Sequence, residues 1–483
     1  MNTMNGPIRK ISVLAMVMFA ALLINVSVSY VLRYDSLNEN TLNRRVMDAR
    51  YAQQRGPIMV GNNPIASSEK VKDRFKYLRS YSDGPLYAPI TGFYSYYYGA
   101  SALEDTQSAE LAGQADSQFI DQLVDKLAGS EPPGGTVETT ITGKAQRAAW
   151  KALAGRTGAV VALDAATGAV KALVTSPSYD PNELATHDLD ASKAAWERLN
   201  ADPAKPMANR ATREIYPTGS AFKLITAAAA LEQGLVDGPE GLVDATAYQL
   251  PLSSKVMEGK CGGDEITLAK ALVVSCNPAF ARLGAELGES GLQRQVEAFG
   301  FDQAPLKDIP STASRLYSKA AHPDGIDLAQ AAMTGIGEFE VGATPLQMAM
   351  IGAAILNDGV VMRPYVVDTI TTADLKPVFR AVPEQLSQAV SSDTALALRE
   401  MMVDVVVNGT GYRAAMNGVE VGGKTGTYAP ESSPKRYAWF VAFATELNVA
   451  VCAFVEDADL ENTEIGGARA AAPIAKAVME ALR

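Results

Sequence analysis

The segment YPTGSAFKLITAAAALEQG, beginning at Tyr216, sets Ser220 and Lys223 three residues apart at the head of an apolar, Ala-rich run. On a helix that spacing brings two side chains to one face, within contact distance. A lysine held in apolar surroundings has a destabilised ammonium and can give up a proton. A serine beside such a base becomes a nucleophile. The backbone N–H groups at a helix start add positive potential next to it. The pair could therefore form an acyl ester without any histidine. Ser67/Lys70 and Ser432/Lys435 share the spacing but fall in polar, turn-like sequence, where a surface serine beside a snorkelling lysine is the plainer reading.

Two further groups could complete such a site. The stretch VVSCNPAF puts Ser275 and Asn277 between two helical segments. They read either as capping residues ahead of Pro278 or as a hydroxyl and an amide aimed at a substrate. Ser36/Asn38 has the same spacing, so the spacing does not discriminate. Lys424, Thr425, Gly426 and Thr427 form KTGT, which follows two glycines at the head of a strand-like run. Small residues at a strand edge let a substrate backbone approach, and an ammonium with hydroxyls can hold a carboxylate. The competing reading is a strand-edge lysine beside a turn.

The elements that must position these groups follow from the patterning. GAVVALDAATGAVKALV reads as two strands joined at Ala165–Gly168, and a long, mostly helical middle follows. From about Val419, VEVGGKTGTYA, YAWFVAFAT and NVAVCAFVE read as three more strands, and GGARAAAPIAKAVMEALR as a closing helix. Two strands, helices, three strands and a helix predict an α+β fold. Its antiparallel sheet is flanked by helices, with a helical subdomain inserted in the middle. Residues 33–147 are irregular, with a Tyr-rich segment and the loop-like SEPPGGT.

At 483 residues, 47% hydrophobic and 20% charged, the composition is that of a folded globular protein. A formal net charge of -11 and the lack of a basic stripe argue against nucleic acid as a partner. The two histidines, His187 and His322, have no metal-ligand spacing, which leaves no basis for a His-built zinc site or a Ser-His-Asp triad. Ile11–Leu32 is free of charge and long enough to span a bilayer. It reads as a retained anchor or as a cleaved signal ending near Ser27 and Ser29, and its length favours the anchor. Arg33, Arg44, Arg45 and Arg50 lie beyond the span, against Arg9 and Lys10 before it. Long domains translocate largely regardless of such charges, so the tail is expected inside and the body outside. The expected division is a cytoplasmic tail (1–10), a transmembrane anchor (11–32), a membrane-proximal domain (33–147) and the main domain (148–483). Cys452, in NVAVCAFVE, reads as a buried thiol. Cys261 and Cys276 could close a short disulfide loop, which an oxidising compartment permits, or remain two free thiols.

Beyond the three boxes S-x-x-K, S-x-N and K-T-G, longer stretches carry a resemblance. NRATREIYPTGSAFK, GAVVALDAATGAVKALVTSPSYDPN, GIGEFEVGATPLQMAMIGAAI and VGGKTGTYAPE resemble the transpeptidase domain of class B penicillin-binding proteins. The span followed by RGPI is similar to their N-terminal region, and YAPITGFYSYYYGASALE resembles the short actinobacterial penicillin-binding protein A type. Ala221 and Tyr428 depart from the pattern, standing where many relatives have Thr and Ala.

The resemblance implies a penicillin-binding, serine β-lactamase-like fold and a membrane-anchored D,D-transpeptidase. Ser220 would attack the carbonyl between two terminal D-alanines of a stem peptide, with Lys223 as base. Ser275 and Asn277 would relay protons and orient the substrate, Lys424, Thr425 and Thr427 would hold its carboxylate, and Thr425, Gly426 and Thr427 would make up the substrate-binding set. Backbone N–H groups of Ser220 and Thr427 would form the oxyanion hole. The catalytic set is thus Ser220, Lys223, Ser275, Asn277 and Lys424. No metal or organic cofactor is implied. Implied partners are peptidoglycan stem peptides, β-lactam antibiotics, the membrane, a SEDS-type glycosyltransferase and division proteins. Residues 33–147 are expected to be dispensable for acylation. A non-catalytic penicillin-binding scaffold or sensor and a carboxypeptidase share the boxes. A β-lactamase is disfavoured because DPNELA, from Asp180, precedes Ser220 rather than following the S-x-N box.

Overall fold

The computed structural model describes residues 5–32, 44–115, 133–429, 436–456 and 467–483. Helix α1 (Asn5–Val31) is exposed along its length, and with a mean hydropathy of 2.5 it is long and apolar enough to cross a membrane. Of the described residues, 5–32, 44–54 and 70–78 form one unit of the chain. In it, helix α2 (Arg44–Tyr51) ends on Tyr51, whose ring meets Phe75 edge-on at 5.1 Å.

The second unit holds everything else. Strands β1 (Ile58–Val60), β2 (Asn63–Lys70, its last residue counted in the first unit), β3 (Tyr77–Tyr81, its first two residues counted in the first unit) and β4 (Thr136–Thr139) precede helix α3 (Gly143–Leu153). Strands β5 (Gly158–Asp164) and β6 (Val170–Ser176) follow, and then the helical middle. Among its helices are α4 (Lys223–Glu232), α5 (Leu268–Val273), α6 (Asn277–Ala298), α7 (Leu328–Gly335) and α8 (Pro345–Leu356). Strands β7 (Val367–Thr371) and β8 (Pro377–Arg380) precede helix α9 (Ser392–Val407). The chain closes with β9 (Val421–Tyr428), β10 (Tyr437–Ala444), β11 (Val449–Glu456) and helix α10 (Ala472–Leu482).

The five strands expected from the pattern form one antiparallel sheet in the order β9-β10-β11-β5-β6. Helices α3 and α10 cover one face and α8 the other. That explains why β10 and β11 are apolar at nearly every position rather than alternating, since both faces are dry. The β6 edge is sealed by the buried Gln146 of α3, whose Nε2 donates to Leu173 O (2.8 Å) and Leu86 O (3.0 Å) while its Oε1 accepts from Leu173 N (2.8 Å). The opposite edge, β9, carries KTGT.

A second, mixed sheet runs β8-β7-β4-β1-β2-β3. Strand β4 pairs antiparallel with β7, Thr136 opposite Thr371, so a strand from before residue 147 is bonded to one from far beyond it. Helix α3 itself crosses the expected 147/148 boundary, and Ile58, Val137, Leu163, Val170 and Leu173 share one buried cluster. The expected dispensability of residues 33–147 for acylation meets this arrangement badly: a chain begun at residue 150 would lack β4 and Gln146.

The early segment also buries an ion cluster. Glu104 Oε2 accepts from Arg55 Nε at 2.8 Å, and its Oε1 accepts from Arg79 Nε at 2.6 Å and from Tyr81 OH at 3.1 Å. All four residues are buried. Burial alone would raise the pKa of Glu104, but Arg79 and Arg55 outweigh it and hold the carboxyl below its usual range. Glu104→Ala strands two buried guanidiniums and should cost about 3–5 kcal/mol in urea unfolding. A depressed carboxyl stabilises the fold above its unfolded pKa, and that contribution is lost as pH falls through the folded value. Acid unfolding of Glu104→Gln should therefore lose part of the wild-type pH dependence. A Glu104→Ala variant as stable as the wild type would refute the ion-cluster argument.

Candidate active site

Ser220 does not lie on the α-helix proper. It sits in a 3-10 turn, Gly219–Phe222, and α4 begins at Lys223. A 3-10 turn eclipses residues three apart, which stacks Ser220 and Lys223 directly. The turn is fixed by close backbone contact. Gly219 (φ 52°) donates its N–H to Gly337 O at 2.9 Å. A Cβ at Gly219 would stand 2.2 Å from Thr427 O, and one at Gly337 would stand 1.8 Å from Gly219 O. Trp439 Nε1 donates to Pro217 O at 2.9 Å and ties the same segment to β10.

Lys223 is fully buried. Among the described residues its Nζ lies within hydrogen-bond distance of these oxygens: Asn277 Oδ1 at 2.5 Å, Ser275 O at 2.8 Å, Ser220 Oγ at 3.1 Å and Ser275 Oγ at 3.1 Å. The carbonyl and the amide oxygen can only accept, so they consume two amine protons. The two hydroxyls can either accept or donate, so a neutral Nζ beside them can take the Ser220 proton.

Ser275 and Asn277 do not cap α6. The N-cap is Cys276, without a side-chain cap bond, and Ser275 is held at φ 58°, in the left-handed region that non-glycine residues seldom adopt. This conformation turns both side chains towards Lys223. Cys276 is joined to Cys261 by a disulfide across 15 positions, which tethers the turn carrying Ser275. Cys452 is a buried free thiol.

Lys424 approaches from β9. Its Nζ donates to Ser275 Oγ and to Thr425 O, both at 3.0 Å. Burial pushes this ammonium down to about 7. A hydrogen-bonded chain thus runs Ser220, Lys223, Ser275, Lys424. Thr425 and Thr427 lie two apart on β9, so they share a face. Thr427 Oγ1 accepts from Gly467 N at 3.3 Å, and Thr425 Oγ1 lies 2.9 Å from Thr410 Oγ1. Gly426 admits no side chain, because a Cβ there would stand 2.7 Å from Thr218 O.

The structure therefore brings Ser220, Lys223, Ser275, Asn277 and Lys424 together, with Thr425, Gly426 and Thr427 on the adjoining strand. Ser67 is elsewhere: it lies on β2, bonded to Ser80 Oγ at 3.2 Å. Ser432/Lys435 and Ser36/Asn38 fall outside the described residues. Sequence reasoning missed Gly337, Trp439 and Thr410. Of these only Thr410, flanked by glycines in NGTG, left a local trace.

Comparison with known proteins gives the following. The model of the penicillin binding protein transpeptidase domain matches residues 158–480, and that of the penicillin binding protein A dimerisation domain matches residues 55–137. The peptidoglycan D,D-transpeptidase PbpA of Mycolicibacterium smegmatis is 40% identical over 493 residues, covering 99% of each chain. Its counterpart in Mycobacterium tuberculosis H37Rv is 39% identical over 497 residues, again covering 99% of each. The ceftriaxone acyl-enzyme complex of penicillin-binding protein A from M. tuberculosis superposes with a TM-score of 0.84 at 38% identity, covering 90% of this chain and 99% of that one. The imipenem acyl-enzyme complex gives 0.82 at 40% identity, with 90% and 99% covered.

Proposed function

The chain belongs to the penicillin-binding protein transpeptidase family, and on that premise we propose that it cross-links peptidoglycan through an acyl ester at Ser220. It is a peptidoglycan D,D-transpeptidase of the serine type. The observation that carries the residue assignment is the seat of Lys223 Nζ, 3.1 Å from Ser220 Oγ and anchored on Ser275 O and Asn277 Oδ1.

The geometry supports this sequence of events. Lys223 takes the Ser220 proton as Oγ attacks the carbonyl between the two terminal D-alanines. The oxyanion draws on the backbone N–H groups of Ser220 and Thr427, an arrangement worth several kcal/mol of barrier, about 3 kcal/mol per donor. Ser275 Oγ hands its proton to the departing amine and is reprotonated from Lys223, which returns the proton it took. D-alanine leaves. The amine of a second stem peptide then attacks the ester, its proton retraces the relay, and Ser220 is regenerated with a new peptide cross-link. Lys424, Thr425 and Thr427 hold the carboxylate of the donor during the first half. A β-lactam enters the same path, but its amine stays tethered to the acyl group.

The test is labelling with a fluorescent penicillin. A stable adduct lost in Ser220→Ala and kept in Ser67→Ala and Ser432→Ala is expected. An adduct that survives Ser220→Ala would sink the assignment. We also propose that α1 is a single-pass anchor with the main domain outside, which suits the Cys261–Cys276 disulfide. Labelling of intact cells by a membrane-impermeant penicillin reads that orientation directly. The region 33–147 is proposed to meet a SEDS-type glycan polymerase and division proteins. Cross-linking from that region in cells should capture such a polymerase, and consistent failure to do so would remove the partner.

A further inference from the structure

We infer that Thr410 is a positioning residue for the substrate carboxylate: its hydroxyl donates to Thr425 Oγ1 and thereby turns the Thr425 proton out to the carboxylate. The inference rests on the reading above, in which the KTGT strand holds that group.

A hydroxyl has a single proton to give. Thr410 Oγ1 and Thr425 Oγ1 are 2.9 Å apart, so one must donate to the other. If Thr425 donated, its proton would be spent inward and its lone pairs would face an anion. A carboxylate only accepts, so binding selects the opposite arrangement, with Thr410 as donor and Thr425 passing its own proton to the ligand. Two hydroxyls in series polarise one another and strengthen the outer bond.

The local backbone is built to deliver Thr410 to this place. It follows the end of α9, where Gly411 N reaches back to Val405 O at 2.9 Å. A Cβ at Gly409 would stand 2.8 Å from Val273 O and 2.9 Å from Val405 O. One at Gly411 would stand 3.3 Å from the Phe440 ring, and Phe440 is the residue opposite Thr425 on β10. The glycines on either side thus let the turn press Thr410 against Thr425, which is only 5% exposed. Thr427 is served in the same way from behind. Its Oγ1 accepts the Gly467 N–H, which leaves its proton for the cleft. Each KTGT hydroxyl is therefore supplied with a donor, and for Thr425 that donor is Thr410.

The experiment measures acylation of the full-length protein in detergent by a fluorescent penicillin over a range of concentrations. This separates the affinity of the initial complex from the maximal acylation rate. The probe is used as the free acid and as its methyl ester, in which the carboxylate is masked. Thr410→Val removes the hydroxyl and keeps the shape. It should weaken the initial complex with the acid about tenfold, the low end for a hydrogen bond to a charged group. The maximal rate and the reaction with the ester should not change, and Thr410→Ser should restore the wild-type affinity. A Thr410→Val protein that binds the acid like wild type overturns the inference, as does one that loses acid and ester equally. Thr425→Val separates the two layers. If it treats acid and ester alike, the carboxylate reading of KTGT falls and Thr410 falls with it. If it discriminates while Thr410→Val does not, only the role of Thr410 is lost.

Discussion

Lys223→Met should lower the rate at which Ser220 is acylated by about a thousandfold or more, at the upper end of what a positioned general base contributes. Methionine fills the same buried slot beside Phe280, whose ring centroid lies 5.7 Å from Nζ, so the packing of α4 is kept. What disappears is the amine beside Ser220 Oγ. Lys223→Arg makes the separation sharper. A guanidinium keeps the positive charge, and it stays protonated at any pH a protein tolerates. If Lys223 served only as a positive charge near the oxyanion, arginine would retain most of the rate. If it is the base, arginine should be as slow as methionine. The measurement is the rate of penicillin adduct formation in a single turnover. A rate within tenfold of wild type for either variant would mean that another group removes the serine proton.

The comparison of sequence with structure divides along range of interaction. The runs at 158–176, 421–428, 437–444 and 449–456 were legible as strands because a sheet buried on both faces demands apolar side chains at almost every position. The proximity of Ser220 and Lys223 was legible too, since it needs only local helical geometry. The type of turn was not, because the 3-10 start at Gly219 is imposed by Gly337 and Thr427 across the fold. Ser275 and Asn277 looked like caps, and local propensity gave no reason to expect φ 58° at Ser275. That strain is held by Lys223, 52 positions earlier in the chain. The boundary expected at 147/148 was drawn on composition, whereas the pairing of β4 with β7 is a contact over more than two hundred residues that composition cannot register.

Lys424→Met should move stability and activity in opposite directions. In the unfolded chain a lysine titrates near 10.4, while burial in β9 brings Lys424 down to about 7. Between those values the unfolded state binds a proton that the native state lacks, so stability falls as pH drops from about 10 towards 7, and the full penalty is present below 7. At neutral pH this amounts to on the order of 4 kcal/mol, because each pKa unit is about 1.4 kcal/mol and the native group is half charged there. Methionine removes the penalty but forfeits the hydrogen bonds to Ser275 Oγ and Thr425 O, about 1 kcal/mol each. The net expectation is a variant more stable by about 2 kcal/mol at pH 7, with the advantage vanishing near pH 9 and becoming a deficit of up to about 2 kcal/mol above pH 10, where only the lost hydrogen bonds remain. On the proposed function its acylation should fall at least a hundredfold, by about 3 kcal/mol of barrier, since the ammonium proposed to anchor the carboxylate is gone and Ser275 Oγ loses one of its donors. In the wild type, kcat/KM should decline as pH rises through about 7, where the free enzyme loses the Lys424 charge proposed to draw the carboxylate in. Thermal unfolding at pH 7 and pH 10, set beside penicillin acylation rates, reads all three. A Lys424→Met protein less stable than wild type at pH 7 would show that its ammonium is solvated or paired well enough to titrate like an ordinary lysine.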